Sequence, residues 1–233
     1  VAIFSIYLTL LDYQIPADIG KFKFPNLLGT NLICSDTFDT SNASLNGLLE
    51  QNIQFDYIIG NPPWMRGRIQ KDHKGQVIEP QYMQYLRATQ QVDFVGNKEL
   101  AQAFVLRSLD FATESTKLAL VLTSKVLYNL QSKAFRQHLL NTSYISQVFE
   151  LAPVRKEIFI SSNDSAIAPC CIIFFNKATT DCTSEHIIKH ISLKPSRFFS
   201  NFKVFKLKKN DIQFVKQGLL KEYDWLWKTL VYG

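Results

Sequence analysis

The sequence predicts an α/β fold of the doubly wound kind, and three observations carry the prediction. Apolar, β-branched runs of strand length alternate with segments of helical spacing along most of the chain. One such run, Phe55-Asp56-Tyr57-Ile58-Ile59, is closed by Gly60 and opens directly into Asn61-Pro62-Pro63-Trp64, a stiff turn of the sort that carries function beyond a strand's C-terminus. The 233 residues are 46% hydrophobic, enough for one good-sized core with an appendage.

Taken in order, residues 1–12 are apolar at nearly every turn and are expected to form a buried helix. Residues 13–29, with Pro16, Gly20 and Pro25, read as a loop, and 31–36 as a short strand ending in Asp36. A helical stretch at 46–54 precedes the strand at 55–59, which is expected to be buried. Residues 65–97 read as a long irregular insert, with Arg66, Arg68, Lys71, His73 and Lys74 close behind Trp64. Helical spacing returns at 97–115, followed by a strand at 118–123, a loop at 124–129 and a helix at 132–140. The last two strong strands are 144–151 and 168–176, joined by a polar loop that contains Phe159. Beyond Lys177 a Thr/Ser/Asp run reads as a linker to residues 187–193, an aromatic and basic stretch at 197–203, and a helix-like segment at 210–226.

The turn after Gly60 carries the chemistry. A residue before proline is driven out of the helical region and a second proline fixes the next φ, so Asn61-Pro62-Pro63 has little freedom to relax. Neither proline has an N–H to satisfy. The turn therefore offers the Asn61 side-chain amide, the Pro62 carbonyl and the flat face of Trp64, which are two acceptors and a stacking platform. An exocyclic amine on an aromatic ring is a poor nucleophile because its lone pair is delocalised. Two acceptors taking one N–H each of adenine N6 draw that pair out of conjugation and aim it at an electrophilic methyl group. Stacking on an aromatic platform adds roughly 1–3 kcal/mol per base, and the base has to leave its duplex first. The plainer role for these residues is that Pro-Pro ends a strand and Trp64 packs a core.

This motif resembles the catalytic motif of the amino-methyltransferases that use S-adenosylmethionine, and tryptophan in its fourth place resembles the N6-adenine DNA methyltransferases of restriction-modification systems. The resemblance implies the catalytic roles above for Asn61, Pro62 and Trp64, with Pro63 as the rigid spacer. It implies that Asp36 accepts from the amino group of the cofactor's adenine, with Phe38 two places on as a stacking residue. Both have local alternatives, Asp36 as a turn or helix cap and Phe38 as a core residue. It also implies that the start of the helix at 97–115 lines the cofactor pocket, without selecting among Lys98, Glu99 and Leu100. Phe159 stands nearest the position of the aromatic that packs on the target base opposite Trp64. Arg66 and Arg68 suit phosphates flanking a flipped base.

The fold implied is the second half of a doubly wound class I methyltransferase sheet, mostly parallel with an antiparallel last strand, plus a basic C-terminal extension. Residues 1–178 are expected to be the catalytic domain. Residues 179–233 are expected to be a linker and the start of a target-recognition region. The glycine-rich first cofactor motif and the acid that binds ribose are expected upstream of Val1, since no G-x-G arrangement occurs. A chain that starts at Val1 rather than Met is accordingly expected to be part of something longer, and inactive by itself.

Charge and composition bound the rest. The net charge of +6 is uneven: from His186 onward ten Lys/Arg stand against three acids, which leaves the first 185 residues near −1. A basic tail suits phosphate binding as well as a solvated surface. No apolar run approaches the ~18–20 residues of a membrane span and no secretory leader is visible, so a cytoplasmic setting is expected. Cys34, Cys170, Cys171 and Cys182 show no paired C-x-x-C spacing, which argues against zinc, and no metal is expected. Cys170 and Cys171 read as core thiols. No nuclease carboxylate cluster or P-loop is present.

The expectation is methyl transfer from S-adenosylmethionine to N6 of a flipped adenine in double-stranded DNA, with restriction or specificity domains in the same polypeptide or as subunits. The alternatives are an RNA-adenine or protein-glutamine methyltransferase, or a catalytically silent DNA-binding or assembly module.

Overall fold

The computed structural model describes residues 2–21, 23–51, 53–67, 70–71, 73–158, 168–179, 184–202 and 204–232. The chain runs α1 (Ala2–Asp12), α2 (Ala43–Glu50), β1 (Tyr57–Gly60), β2 (Gln70–Lys71), β3 (Val77–Ile78), α3 (Gln81–Ala88), α4 (Leu100–Asp110) and β4 (Lys117–Thr123). It continues through α5 (Lys125–Tyr128), α6 (Lys133–Thr142), β5 (Ser143–Glu150), α7 (Arg155–Ile158), β6 (Cys170–Lys177), β7 (Ile187–Ser192), α8 (Arg197–Phe202), β8 (Ile212–Lys216), α9 (Gln217–Glu222) and α10 (Leu226–Tyr232).

Six strands form one mixed sheet in the order β1-β4-β6-β5-β7-β8, and β2 and β3 form a separate two-stranded hairpin. β1 is parallel to β4, from Tyr57 opposite Lys117 to Gly60 opposite Leu120. β6 lies antiparallel between β4 and β5, β7 is parallel to β5, and β8 returns antiparallel on β7. Thus β1, β4, β5 and β7 point the same way. The segments that follow them, beginning at Asn61, Ser124, Leu151 and Leu193, all leave the sheet at one edge, where α/β sheets build their sites.

The period-2 pattern of β4 buries Leu118, Leu120 and Leu122 on one face. They join a cluster with Ala103, Val105 and Leu106 of α4, Phe135, Leu139 and Leu140 of α6, and Trp227, Leu230 and Val231 of α10. Each such large apolar side chain contributes about 1.5–3 kcal/mol through burial. The tail is part of this packing. Arg136 of α6, 2% exposed, pairs with both carboxylate oxygens of Asp224 at 2.8 and 2.6 Å. Buried Gln217 donates to the Leu140 and Ser143 carbonyls and accepts from Ile145 N–H. The residues expected to follow a linker therefore supply two strands of the main sheet and part of its helical cover.

Several elements differ from expectation. α1 is helical, but none of its residues is buried, with Phe4 66% exposed. It meets the loop that follows, where the Tyr7 ring lies tilted against Phe24 at 4.4 Å and its hydroxyl donates to the Pro25 carbonyl. The strand expected at 31–36 is irregular, because its backbone turns locally: Asn31 and Leu32 N–H both go to the Leu27 carbonyl. β1 sits at the sheet edge rather than in the interior, leaving Tyr57 and Ile59 exposed. The insert after Trp64 is not irregular; it holds the β2–β3 hairpin and α3, which buries Tyr82, Tyr85 and Leu86. A short helix, α5, replaces the loop expected at 124–129. Residues 212–216 form β8 rather than helix because β7 offers them an open edge. Cys170 and Cys171 are buried free thiols. No helix among the described residues is long and apolar enough to cross a membrane.

Candidate active site

The turn Asn61-Pro62-Pro63-Trp64 leaves β1 at the edge of the sheet where β4, β5 and β7 also end. Asn61 is exposed, and among the described residues no hydrogen bond claims its side chain. Pro62 is buried and Pro63 exposed, so the turn is held from below while its outer atoms face solvent. Trp64 is half-buried. Its indole N–H donates to the Val121 carbonyl at 3.1 Å, one residue past Leu120, the last β4 residue paired to β1. The ring also packs against both apolar clusters of the molecule.

Two cavities flank this turn. The larger, about 540 Å3, is lined by Asp36, Phe38 and Pro63 together with Leu100, Phe104 and Tyr82. The smaller, about 180 Å3, is lined by Trp64, Thr123, Lys125, Asn129, Glu99 and Ala168. Met65 and Arg66 line both. An apolar groove along Ile58, Ile59, Asn61, Pro62 and Leu120 adjoins the first cavity at Phe104.

Asp36 is exposed at the first cavity, where its Oδ1 accepts the Phe38 N–H at 2.9 Å, so the local capping role is real and coexists with a place on the cavity wall. Phe38 is 3% exposed and packs edge-on to Phe104 at 4.7 Å, with Tyr85 and Tyr82 beyond. It is a core aromatic that shows a rim to the cavity. The turn between them is fixed from α4: Arg107 Nε donates to the Thr37 carbonyl at 2.9 Å.

The floor between the cavities is a tightly bonded loop. Lys98 and Asn97 both hold left-handed backbone, φ 55° and 56°, at a cost of roughly 1–2 kcal/mol for a residue such as lysine. What holds them is visible. The Lys98 carbonyl accepts the Gly67 N–H and Met65 O accepts the Leu100 N–H. With the Asn97 amide oxygen turned toward Arg66, that oxygen takes Nε at 2.7 Å and a terminal guanidinium nitrogen. Buried Gln102 accepts from Gly96 N–H at 2.8 Å and donates to Ser132 Oγ at 2.9 Å. Gly96 is required, since a Cβ there would stand 1.8 Å from the Gln131 carbonyl oxygen.

Beneath the second cavity's wall, Glu150 is fully buried at the end of β5. Its Oε1 accepts from Ser124 Oγ at 2.6 Å and Ala152 N–H at 2.8 Å, while Oε2 has no partner among the described residues. Burial pushes this carboxyl up to about 7 against the lowering effect of those two bonds.

A sequence model described as Eco57I restriction-modification methylase matches residues 1–159. The chain belongs to the Eco57I restriction-modification methylase family. It is similar to the type II restriction enzyme and methyltransferase RM.Eco57I of Escherichia coli, 26% identical over 196 residues that cover 80% of this chain. Among solved structures it is similar to the type IIG restriction endonuclease BpuSI (TM-score 0.54, 15% identity, 84% of this chain and 22% of that one). It is also similar to DrdV in a DrdV–DNA complex (0.51, 16%, 80% and 20%) and to the type I restriction-modification methyltransferase subunit of Streptococcus thermophilus (0.50, 14%, 82% and 40%). At these identities the likeness is one of fold. The chain spans 18% of the length of RM.Eco57I.

For this family member the structure brings Asp36, Phe38, Pro63 and Leu100 to one cavity and Trp64 and Glu99 to the other, with Asn61 and Pro62 on the adjoining groove. Arg66 reaches both cavities but spends its guanidinium on Asn97. Arg68 and Phe159 lie outside the described residues. Sequence reasoning missed the contribution of α3, whose Tyr82 faces the first cavity, and of Arg107 and Gln102. The spacing Tyr82, Tyr85, Leu86 was the available signal for α3; the two polar residues gave none.

Proposed function

We propose that this chain carries the methyl-transfer site of an adenine-N6 DNA methyltransferase of a restriction-modification system. One observation supports the reading above others: a single turn puts the unclaimed amide of Asn61 on a groove that adjoins, at Phe104, a cavity holding an acid, while its Pro63 lines that cavity and its Trp64 a second one. Transfer between two bound molecules needs neighbouring pockets with acceptors close by, and the one turn borders all three hollows.

The first cavity fits the adenine end of S-adenosylmethionine. Its walls, Leu100, Phe104 and Pro63, are flat or apolar, and Asp36 adds an exposed carboxylate suited to an exocyclic amino group. When bound, the cofactor supplies a sulfonium methyl group that is already strongly electrophilic. The chain's own part is to position and polarise the acceptor. The Asn61 side-chain oxygen and the Pro62 carbonyl take the two N6 hydrogens, and Trp64 stacks the flipped base. The anchored indole holds that platform still, so alignment costs little at the moment of reaction. The proton leaves to water after transfer, and no general base is required.

In this reading residues 1–178 are the catalytic domain and 179–233 lead toward a target-recognition region, tied to the sheet through β7 and β8. The partner is double-stranded DNA, in the cytoplasm, with restriction or specificity domains in the same polypeptide or as subunits. The test is tritium transfer from S-adenosylmethionine to duplex DNA by the protein expressed from its whole reading frame, with nucleoside analysis of the product. Labelled N6-methyladenine that disappears in Asn61→Ala, with cofactor affinity nearly intact, is the expected result. Label on RNA or on protein glutamine instead would reassign the acceptor, and no label anywhere would leave a silent binding module.

A further inference from the structure

The segment between β7 and β8 plays no part in the site described above, yet it is strongly basic. Residues 193–211 hold Lys194, Arg197, Lys203, Lys206, Lys208 and Lys209 against a single acid, Asp211. That acid is spent internally: it is 5% exposed, and its Oδ2 accepts the Lys208 backbone N–H at 2.8 Å. Lys194 reaches its other oxygen only at 3.8 Å and remains 65% exposed. Arg197, Lys206, Lys208 and Lys209 are exposed as well.

Topology puts this surface beside the catalytic turn. β1 and β7 point the same way, so Leu193 leaves the sheet at the edge that Asn61 does. β8 begins at that edge too, with Ile212 opposite Ile191. Four strand spacings separate β1 from β7, about 19 Å at ~4.8 Å each, comparable to the width of a duplex. The link is also physical. Phe205 of the basic segment and Trp64 pack on the same apolar cluster, built on Leu151, Val154, Cys170, Ile191 and Leu193. Phe199 stacks on Phe205 at 4.3 Å, so α8 is seated on that support. Above it Phe198 and Phe202 lie 4.8 Å apart, 43% and 62% exposed.

We propose that residues 193–202 and 204–211 form a phosphate-binding rim for the DNA duplex, holding the strand backbone beside the flipped base while Phe198 and Phe202 meet sugars or base edges. The proposal rests on the DNA-methyltransferase reading. Charge complementarity selects the occupant: an exposed cluster of cations whose one acid is buried suits a polyanion, and it stands on the edge where the target base must be delivered. A protein partner would have to bury these cations without visible counter-charges, which is unfavourable.

The experiment uses the whole-reading-frame protein, a fluorescein-labelled mixed-sequence duplex and anisotropy across a salt series. The variant Arg197→Gln/Lys206→Gln/Lys208→Gln/Lys209→Gln removes only exposed charges, so the fold is retained. Lys117→Gln/Lys216→Gln removes charges at the opposite sheet edge and serves as the control. In the fourfold variant the duplex dissociation constant should rise about tenfold or more near 0.1 M salt, and the slope of log affinity on log salt should shrink by about two to four. kcat at saturating DNA and cofactor affinity should not change, and the control should stay within about twofold of wild type. Unchanged affinity and slope in the fourfold variant, with wild type methylating DNA, would overturn the rim alone. Loss of a protein subunit from the variant with normal DNA binding would make the surface a protein dock and also overturn it. If wild type transfers no methyl to DNA, the functional reading fails first and takes the rim with it.

Discussion

The indole N–H of Trp64 is bonded to the Val121 carbonyl at 3.1 Å, so the turn that follows β1 is pinned to the neighbouring strand by the side chain proposed to stack the base. Platform and anchor are one residue, and substitutions separate the two roles. Trp64→Phe keeps an aromatic face but loses the anchor, whereas Trp64→Ala loses both. Stacking contributes roughly 1–3 kcal/mol per base, so Trp64→Ala should lower kcat/KM for DNA methylation by that equivalent. Trp64→Phe should retain most of it with a lower kcat from a looser alignment. Single-turnover transfer rates check this; equal loss in the two variants would mean that the anchor rather than the face matters.

Two buried ionisable groups oppose one another in their effect of pH on stability. His190 is fully buried on β7 with no partner for either ring nitrogen among the described residues, and burial lowers it from 6.5 to about 4. Between these values the unfolded chain binds a proton that the folded chain does not, so stability falls as pH drops from 6.5 toward 4. Glu150 is raised from 4.5 to about 7, so the folded chain keeps a proton that the unfolded one releases, and stability falls as pH rises from 4.5 toward 7. Each effect is on the order of 3 kcal/mol, and over their shared range they largely cancel. Urea unfolding at stepped pH should therefore show a flat profile for wild type, a rise with pH for Glu150→Gln and a fall with pH for His190→Leu. Parallel profiles for all three proteins would disprove the opposition.

What could be read from sequence was what is decided locally. Asn61-Pro62-Pro63-Trp64 at a strand end is legible because proline geometry needs no distant partner. α4, β4, α6, β5 and β6 are legible because their apolar spacing matches the faces they bury, whereas the single-turn helices α5 and α7 are too short to show a period and were read as loop. The burial of α1 and β1 was misread for the complementary reason: Phe4 and Ile59 have apolar identities suited to a core, but whether anything covers them depends on neighbours outside their own segments. Residues 212–216 read as helix because the decisive partner, β7, lies some twenty residues earlier. Arg107 left no trace in the pattern, since its role is a bond to a carbonyl on a loop seventy residues away.

That bond carries the last prediction. Arg107 is 3% exposed; Nε holds the Thr37 carbonyl and a terminal nitrogen holds Asp110 at 2.9 Å, while Tyr85 donates to the same carboxylate at 2.8 Å. The guanidinium also lies over the rings of Tyr85 and Phe111, at 5.2 and 4.7 Å. Thr37 sits between Asp36 and Phe38, so this network sets where the Asp36 carboxylate stands in the cavity. Breaking a buried pair costs about 3–5 kcal/mol, and with Asp110 31% exposed the lower end applies to Arg107→Met. Arg107→Lys keeps the charge but cannot serve the carbonyl, the carboxylate and the two rings with one ammonium group. The lysine variant should therefore fold, bind DNA as wild type does, and bind S-adenosylmethionine about tenfold more weakly, a loss of roughly 1.4 kcal/mol. Calorimetric titration beside a urea melt separates the outcomes: a folded Arg107→Lys protein with undiminished cofactor affinity would show that the network stabilises the fold without positioning Asp36.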